Sequence, residues 1–218
     1  MPTQAEIESL IALAAGIQFP NAFNPYANTC PQHDKPDAVE IRQANLRAIL
    51  RAVGDAPVDE LWIALEPTYK GARRTGLAMT DGRHLGTHAA RWSAVGVHSA
   101  TSTPDPAENT AGHVWKALAP LSGRIFLWNA VFLHTHDAAN IFKDRNHNEA
   151  ERDACQDVLK MLAKMLQPKH IVAIGLAAQQ ALDDAKLPSV RVRHPSTGGQ
   201  NEFRDNIRAL HCEEPATV

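Results

Sequence analysis

Four short apolar segments alternate with stretches of helical periodicity, and this alternation constrains the fold more than any other feature of the sequence. The apolar segments are Leu61–Leu65, Ile125–Trp128, Ile171–Ile174 and Val190–Val192. The first three are almost continuously apolar, which is typical of strands in a parallel sheet that is covered on both faces.

The stretches between these segments have the spacing of amphipathic helices. Residues 38–53 repeat apolar side chains on one face and are followed by Gly54, a common helix terminator. Two further helices are predicted over 149–166 and 177–185. Strands alternating with helices predict an α/β fold, a three-layer α/β/α sandwich around a mostly parallel four-stranded sheet. We expect a single domain over residues 1–218, with a short flexible C-terminal tail at about 212–218.

Composition excludes several other classes of protein. Of the 218 residues, 44% are hydrophobic and 21% are charged, which is unlike a disordered chain, a collagen or a coiled coil. No apolar run approaches the roughly 20 residues of a membrane span. The start of the chain lacks the basic region of a signal peptide, so we expect a cytoplasmic protein without a membrane partner. Three widely spaced cysteines predict reduced thiols rather than a disulfide framework.

The charge balance limits how the chain can meet nucleic acid. A formal net charge of −2 excludes a global positive field. Positive charge is concentrated in two clusters, Lys70–Arg74 and Arg191–His194. Taken alone, such clusters are typical of solvated loops, so a contact with nucleic acid has to come from local patches.

Polar side chains follow three of the predicted strands. Glu66 follows the first strand, Asn129 ends the second, and His194 comes after the fourth. In parallel sheets, ligands bind where the carboxyl ends of the strands meet. The sequence therefore predicts that a carboxylate, an amide and an imidazole converge on one rim.

Three strand-end motifs resemble those of the uracil-DNA glycosylase superfamily, in the same order along the chain. The first is Ala64–Tyr69 with the downstream Gly76–Met79, the second is Phe126–Asn129, and the third is His194–Ser196. Glu66 and Met79 are thirteen residues apart, the separation between the acid and the stacking phenylalanine of the family.

The resemblance implies an enzyme that hydrolyses the N-glycosidic bond of deoxyuridine in DNA, releases free uracil and leaves an abasic site. It implies binding to uracil-containing DNA, single-stranded or double-stranded. We expect no metal and no cofactor, and a monomer, since nothing in the sequence demands a larger assembly. The target base must leave the stack, and the bond breaks with positive charge on the sugar and negative charge on the base.

Glu66 and His194 are the catalytic candidates under this resemblance. A carboxylate at a strand end can stabilise the sugar cation or orient a water molecule. An imidazole can donate a hydrogen bond to the uracil anion. Asn129 is the candidate for base recognition, because its amide offers the donor and the acceptor that uracil O4 and N3–H require.

The other pocket candidates are Met79, Leu65, Pro67 and Tyr69. Met79 stands where the family has an aromatic side chain that stacks on uracil, and Leu65 stands where one branch has its acid. Tyr69 comes one position later than the tyrosine that blocks the thymine methyl group in another branch. Exclusion of thymine therefore stays open.

On the fold that the resemblance implies, both basic clusters flank this pocket. The candidates for contact with the DNA backbone are Lys70, Arg73, Arg74, Arg193, Ser196 and Gly198. Lysine and arginine hold phosphates, and serine and glycine can add hydrogen bonds. The segment after Ser196 lacks the leucine wedge of the family's best-known branch, which favours single-stranded substrates because they are easier to unstack.

Several alternatives stay open at the level of the sequence. They are a glycosylase for another altered base, for RNA or for a nucleoside, a non-catalytic protein that binds uracil-containing DNA, and an unrelated α/β domain with chance motifs. A metal site is a further alternative, because His134, His136, Asp137 and His147 carry ligand-type side chains. Three cysteines do not supply the four-cysteine iron–sulfur site of some relatives.

Overall fold

A computed structural model describes residues 2–212 and confirms the predicted sandwich. Within these residues the strands are β1 (Ala22–Phe23), β2 (Glu60–Ala64), β3 (Ile125–Asn129), β4 (His134–Thr135), β5 (His170–Ile174) and β6 (Val190–Val192). Four of them form one parallel sheet in the order β3-β2-β5-β6, and β1 pairs with β4 in antiparallel fashion. The tail expected at about 212–218 lies, apart from Cys212, outside the described residues.

Helices cover both faces of the sheet. They are α1 (Gln4–Ala15), α2 (Ala38–Val53), α3 (Ala72–Thr75), α4 (Leu85–Trp92), α5 (Asn109–Leu118), α6 (Glu149–Leu166), α7 (Leu176–Asp184) and α8 (Gln200–Cys212). The predicted bounds of α2 and α6 are confirmed, and α7 begins and ends one residue earlier than predicted. Within residues 2–212, no helix is long and apolar enough to cross a membrane.

Local signals fix where the predicted helices begin and end. The side chain of Asn148 accepts a hydrogen bond from the backbone N–H of Glu151, whose carboxylate accepts one from the backbone of Asn148 in return. This capping box satisfies two donors that a helix start leaves unpaired, so α6 begins at Glu149. α2 ends at Gly54, which adopts φ +64°, a conformation that glycine reaches without a steric penalty.

Two apolar cores lie against opposite faces of the sheet. Leu61 and Ile63 of β2 belong to one core, together with residues of α1, α2 and α6. Trp62 and Ala64 belong to the other, together with residues of α5 and α8. Alternate residues of a strand point to opposite faces, so a strand buried on both faces has to be apolar throughout. This explains the continuous apolar runs of the sequence.

The first prediction tests the core with one substitution at two sites. Leu61 is completely buried, whereas Leu13 of α1 is 40% exposed. Leu61→Ala should lower the free energy of unfolding by about 2–5 kcal/mol, because it removes buried methyl groups and leaves a cavity. Leu13→Ala should cost less than about 1 kcal/mol. Urea denaturation followed by circular dichroism measures both values, and equal losses would contradict the assignment of the core.

Candidate active site

The parallel register brings the predicted polar residues to one edge of the sheet. Ala64 of β2 lies opposite Asn129 of β3, so Glu66 and Asn129 leave neighbouring strands at the same end. Ile174 of β5 lies opposite Val192 of β6, and His194 follows two residues later. Neighbouring strands are about 4.8 Å apart, so the ends of β3 and β6 are on the order of 14 Å apart.

Asn129 supplies a hydrogen-bonding group without a partner. Its side chain is buried, and its Oδ1 accepts no hydrogen bond from any described residue. The chain just beyond it is fixed, because the backbone N–H of Ala130 donates to Ala64 O at 2.9 Å and that of Val131 donates to Leu65 O at 2.8 Å. A buried oxygen left unpaired costs free energy, so a ligand that donates to it is favoured.

Glu66 is half-buried, and one of its two carboxylate oxygens contacts other side chains of the protein. Its Oε2 lies 3.1 Å from Nδ1 of His147 and 3.4 Å from Oγ1 of Thr135. No described residue donates a hydrogen bond to Oε1. The carboxylate therefore has one oxygen held by the protein and one available to a substrate or water.

His194 is held in one tautomer. The backbone N–H of Ser196 donates to His194 Nδ1 at 3.1 Å, and Oγ of Ser196 lies 2.8 Å from the same nitrogen. Because Nδ1 accepts, the proton of a neutral imidazole sits on Nε2. Burial, with a smaller contribution from Arg193, lowers the pKa of His194. The side chain is therefore a neutral Nε2–H donor at pH 7.

A cavity of about 450 Å³ opens beside His194. Its lining includes Gly175, Leu176, Arg191, Arg193 and His194. Gly175 lies against the histidine, since an added Cβ would come within 3.0 Å of the His194 Cβ. The two arginines are exposed, and the exposed carboxylate of Glu202 also lines the cavity, so its lining carries two positive charges and one negative charge.

Arg73 and Arg74 are buried, so their contact with DNA phosphates, which stays a prediction, would require both side chains to leave partners inside the protein. They are 3% and 5% exposed. Arg73 Nη1 donates to His134 Nδ1 at 2.8 Å and to Ile141 O at 2.6 Å. Arg74 pairs with Asp105 at 3.4 Å. Charged side chains are rarely buried unless they find partners, and these two find them inside the protein.

The other DNA-contact candidates stay available to solvent. Arg193, Ser196 and Gly198 are exposed at the rim, and Lys70 is half-buried with its Nζ 5.4 Å from the ring centroid of Tyr69. Arg193 also lies 3.8 Å from Glu202, an exposed pair of small energetic value. A role in binding DNA remains a prediction for these four residues.

Met79 lies in the core on the α5 side of the sheet. It is 4% exposed, and Nε1 of Trp115 donates to its backbone oxygen at 3.1 Å. Its φ of +51° is a left-handed conformation that costs a side-chain-bearing residue about 1 kcal/mol or more. Such a conformation persists where the surroundings enforce it, and here the hydrogen bond from Trp115 helps to do so.

The remaining pocket candidates line the loop after β2. Pro67 is buried, Leu65 is half-buried against the first core, and Tyr69 is half-buried with its ring 5.7 Å from that of Phe142. Their contact with a base remains a prediction.

The arrangement does not fit the alternative of a metal site. His134 uses Nδ1 on Arg73 and Nε2 on Asp144 at 2.8 Å, and Nδ1 of His136 contacts the backbone oxygen of Asp137 at 3.0 Å. In the described part of the chain, no group of three or more candidate ligands could hold a metal ion. Cys30, Cys155 and Cys212 are free thiols.

Glu108 was not predicted from the sequence, and its carboxylate contacts the loop after β2. Oγ1 of Thr68 donates to its Oε1 at 2.8 Å. An added Cβ on Gly71 would lie 2.1 Å from its Oε2, so a larger residue at position 71 would have to displace the carboxylate. No motif marks Glu108. The contact of His147 with Glu66 was not predicted from the sequence either, because nothing in the sequence shows that residues 81 positions apart meet.

The fold is similar to that of wild-type SMUG2 from Pedobacter heparinus, a crystal structure that superposes with a TM-score of 0.66 at 13% sequence identity. The similarity covers 95% of this chain and 97% of that chain. No protein-family model matches the chain, and no curated protein sequence matches it. At this identity the likeness establishes a shared fold.

The second prediction concerns the pH dependence of stability. Burial raises the pKa of Glu108 to about 7 from 4.5, the hydrogen bond from Thr68 opposes the rise, and the Asp81 charge adds to it. The folded state thus holds a proton that the unfolded chain releases, and stability falls as pH rises from about 4.5 through 7. Glu108→Gln should therefore stabilise the protein above pH 7 by about 3 kcal/mol, at about 1.4 kcal/mol per pKa unit.

Urea denaturation at several pH values between 4 and 9 measures this effect. Glu149→Gln is the control, because Glu149 is 83% exposed and should show no such gain. A stability difference for Glu108→Gln that does not change with pH would contradict the prediction.

Proposed function

We propose that the protein is a uracil-DNA glycosylase, which hydrolyses the N-glycosidic bond of deoxyuridine in DNA, releases uracil and leaves an abasic site. The observation that carries the proposal is the buried Oδ1 of Asn129, which has no hydrogen-bond partner among residues 2–212 and lies on the same rim as Glu66 and His194. The shared fold supports it, since SMUG2 belongs to the uracil-DNA glycosylase superfamily.

Recognition of the base follows from the amide of Asn129. Uracil presents an acceptor at O4 and a donor at N3–H, whereas cytosine presents a donor at N4 and an acceptor at N3. The Oδ1 of Asn129 accepts from N3–H, and the amide N–H donates to O4. Cytosine reverses both groups, so its binding would leave buried polar atoms unpaired, which is the strongest form of discrimination a pocket can offer.

Bond cleavage separates charge, and the two catalytic groups match the two charges. The free Oε1 of Glu66 stabilises the sugar cation or orients the attacking water. The Nε2–H of His194 donates to O2 of the departing uracil. Because burial keeps this imidazole neutral, it acts as a hydrogen-bond donor to the anion without having to transfer a proton.

DNA is the partner that these groups require, and uracil is the product. The backbone would be held by Lys70 and Arg193 through their charge and by Ser196 and Gly198 through hydrogen bonds. We propose further that one domain over residues 1–218 acts as a cytoplasmic monomer without a cofactor. Single-stranded DNA is the expected first substrate because its bases are least costly to unstack.

The third prediction is the release of uracil from a single-stranded oligonucleotide that contains one deoxyuridine. The His194→Ala variant should be slower by about 10²–10³-fold, because it loses a preorganised donor to the anion. Asn129→Asp should lower the ratio of uracil to cytosine release, because a carboxylate cannot donate to O4. Chromatography of the free bases measures both rates.

The outcomes separate the candidate functions. Retention of the oligonucleotide without release of uracil would replace the proposal with a non-catalytic binding protein. If the wild type neither releases uracil nor retains the oligonucleotide, uracil is excluded as the substrate. Wild-type rates in His194→Ala would remove His194 from the mechanism.

The fourth prediction concerns the salt dependence of binding to single-stranded DNA. Arg193→Gln should reduce the slope of log affinity against log salt by about 0.7, the value for one released counterion. Arg208→Gln is the matched control, because Arg208 is exposed on α8 about 12 Å along the helix from its start at the rim. Fluorescence anisotropy measures the slopes, and equal slopes in all three proteins would refute phosphate contact at Arg193.

A further inference from the structure

The segment between β4 and α6 brings an imidazole to the proposed catalytic carboxylate. His147 Nδ1 lies 3.1 Å from Glu66 Oε2, and the side chain of His147 is 16% exposed. We propose that His147 is a positioning residue that holds the Glu66 carboxylate in its reactive orientation. This inference rests on the proposed glycosylase function, in which Glu66 acts on the sugar cation or the attacking water.

The imidazole is the principal donor to Glu66. The hydroxyl of Thr135 has one proton and donates it to the backbone oxygen of Arg145 at 2.7 Å, which leaves its 3.4 Å contact with Oε2 secondary. The Nδ1–H of His147 therefore fixes Oε2. Because Oε1 accepts no hydrogen bond from the described residues, fixing Oε2 decides where Oε1 points.

The backbone around His147 is held firmly. His147 directly precedes Asn148, the N-cap of α6, which forms the capping box with Glu151. The Glu151 side chain is 1% exposed and pairs with Arg145, two residues before His147. An ion pair to the buried Glu151 carboxylate on one side and a helix cap on the other leave the imidazole little freedom to move.

Two further contacts fasten the same segment to the site. Asp144 Oδ1 accepts from His134 Nε2 at 2.8 Å, and the backbone oxygen of Ile141 accepts from Arg73 at 2.6 Å. Arg73 belongs to the segment after β2, between the proposed catalytic residue Glu66 and Met79. The segment that presents His147 and the loop that presents Glu66 are thus tied together, so the distance between the two side chains is set by the fold.

A carboxylate held in one orientation stabilises the transition state more than a carboxylate that rotates freely. Stabilisation of the sugar cation requires the oxygen to lie at the correct place before charge develops, because reorientation at that moment costs free energy. Misplacement by about 1 Å can reduce a rate by about 10²-fold. Loss of the donor should therefore lower kcat while leaving KM, which reflects DNA and base binding, nearly unchanged.

A double-mutant cycle tests the proposal. His147→Ala should lower kcat by about 10–100-fold with KM changed less than threefold. His147→Asn should stay within about fivefold of the wild type, since its amide nitrogen lies near the position of Nδ1. In the Glu66→Ala background, His147→Ala should cause no further loss. Asn146→Ala, an exposed neighbour whose side chain contacts none of these groups, is the control.

Each contrary result overturns the inference. A wild-type kcat in His147→Ala would overturn it. A loss of kcat on His147→Ala that is as large in the Glu66→Ala background as in the wild type would also overturn it. An His147→Asn variant as slow as His147→Ala would show that the donor at Nδ1 is irrelevant. Thermal unfolding of every variant separates these results from loss of the fold.

A second measurement does not require activity, so it remains decisive if the wild type releases no uracil. Nuclear magnetic resonance of ¹⁵N-histidine-labelled protein reports which ring nitrogen carries the proton. His147 should be protonated at Nδ1 in the wild type, and the Nδ1 signal should shift in Glu66→Ala. An Nε2–H tautomer that Glu66→Ala leaves unchanged would overturn the contact itself.

Discussion

Parallel pairing of β2 with β3 sets Ala64 opposite Asn129, and the whole rim depends on this register. A slip by one residue would turn every side chain of β2 to the other face and move Trp62 out of its core. The apolar runs prevent such a slip, because both faces of the sheet are packed. The burial that stabilises the sheet therefore also decides which polar residues meet at its carboxyl end.

The same burial explains which parts of the fold could be predicted. A strand covered on both faces is apolar at every position, and α2 and α6 are long enough to show helical periodicity over four turns or more. The two-residue strands β1 and β4 are too short to show any period. The helices α4 and α5 are short and include Gly86 and Gly112, which weaken a helical pattern.

The site residues also fall into a group that could be predicted from the sequence and a group that could not. Residues that directly follow a strand could be placed, since parallel topology fixes where Glu66, Asn129 and His194 emerge. Residues that approach from elsewhere could not. The run of positive charge at Arg73 and Arg74 looks the same in sequence whether it meets phosphate or protein, and only the folded chain brings His134 and Asp105 against it.

These buried arginines change how the loop after β2 is understood. Arg73 ties it to His134, Arg74 ties it to Asp105, and Thr68 ties it to Glu108. In this structure the positive charge of the two arginines holds the loop that carries the proposed catalytic carboxylate. Under the proposed function, fewer exposed cations are then available to bind phosphates, so affinity for DNA would depend more on the pocket that takes the flipped base. A net charge of −2 fits this proposal, because a weak long-range field would leave recognition to the base itself.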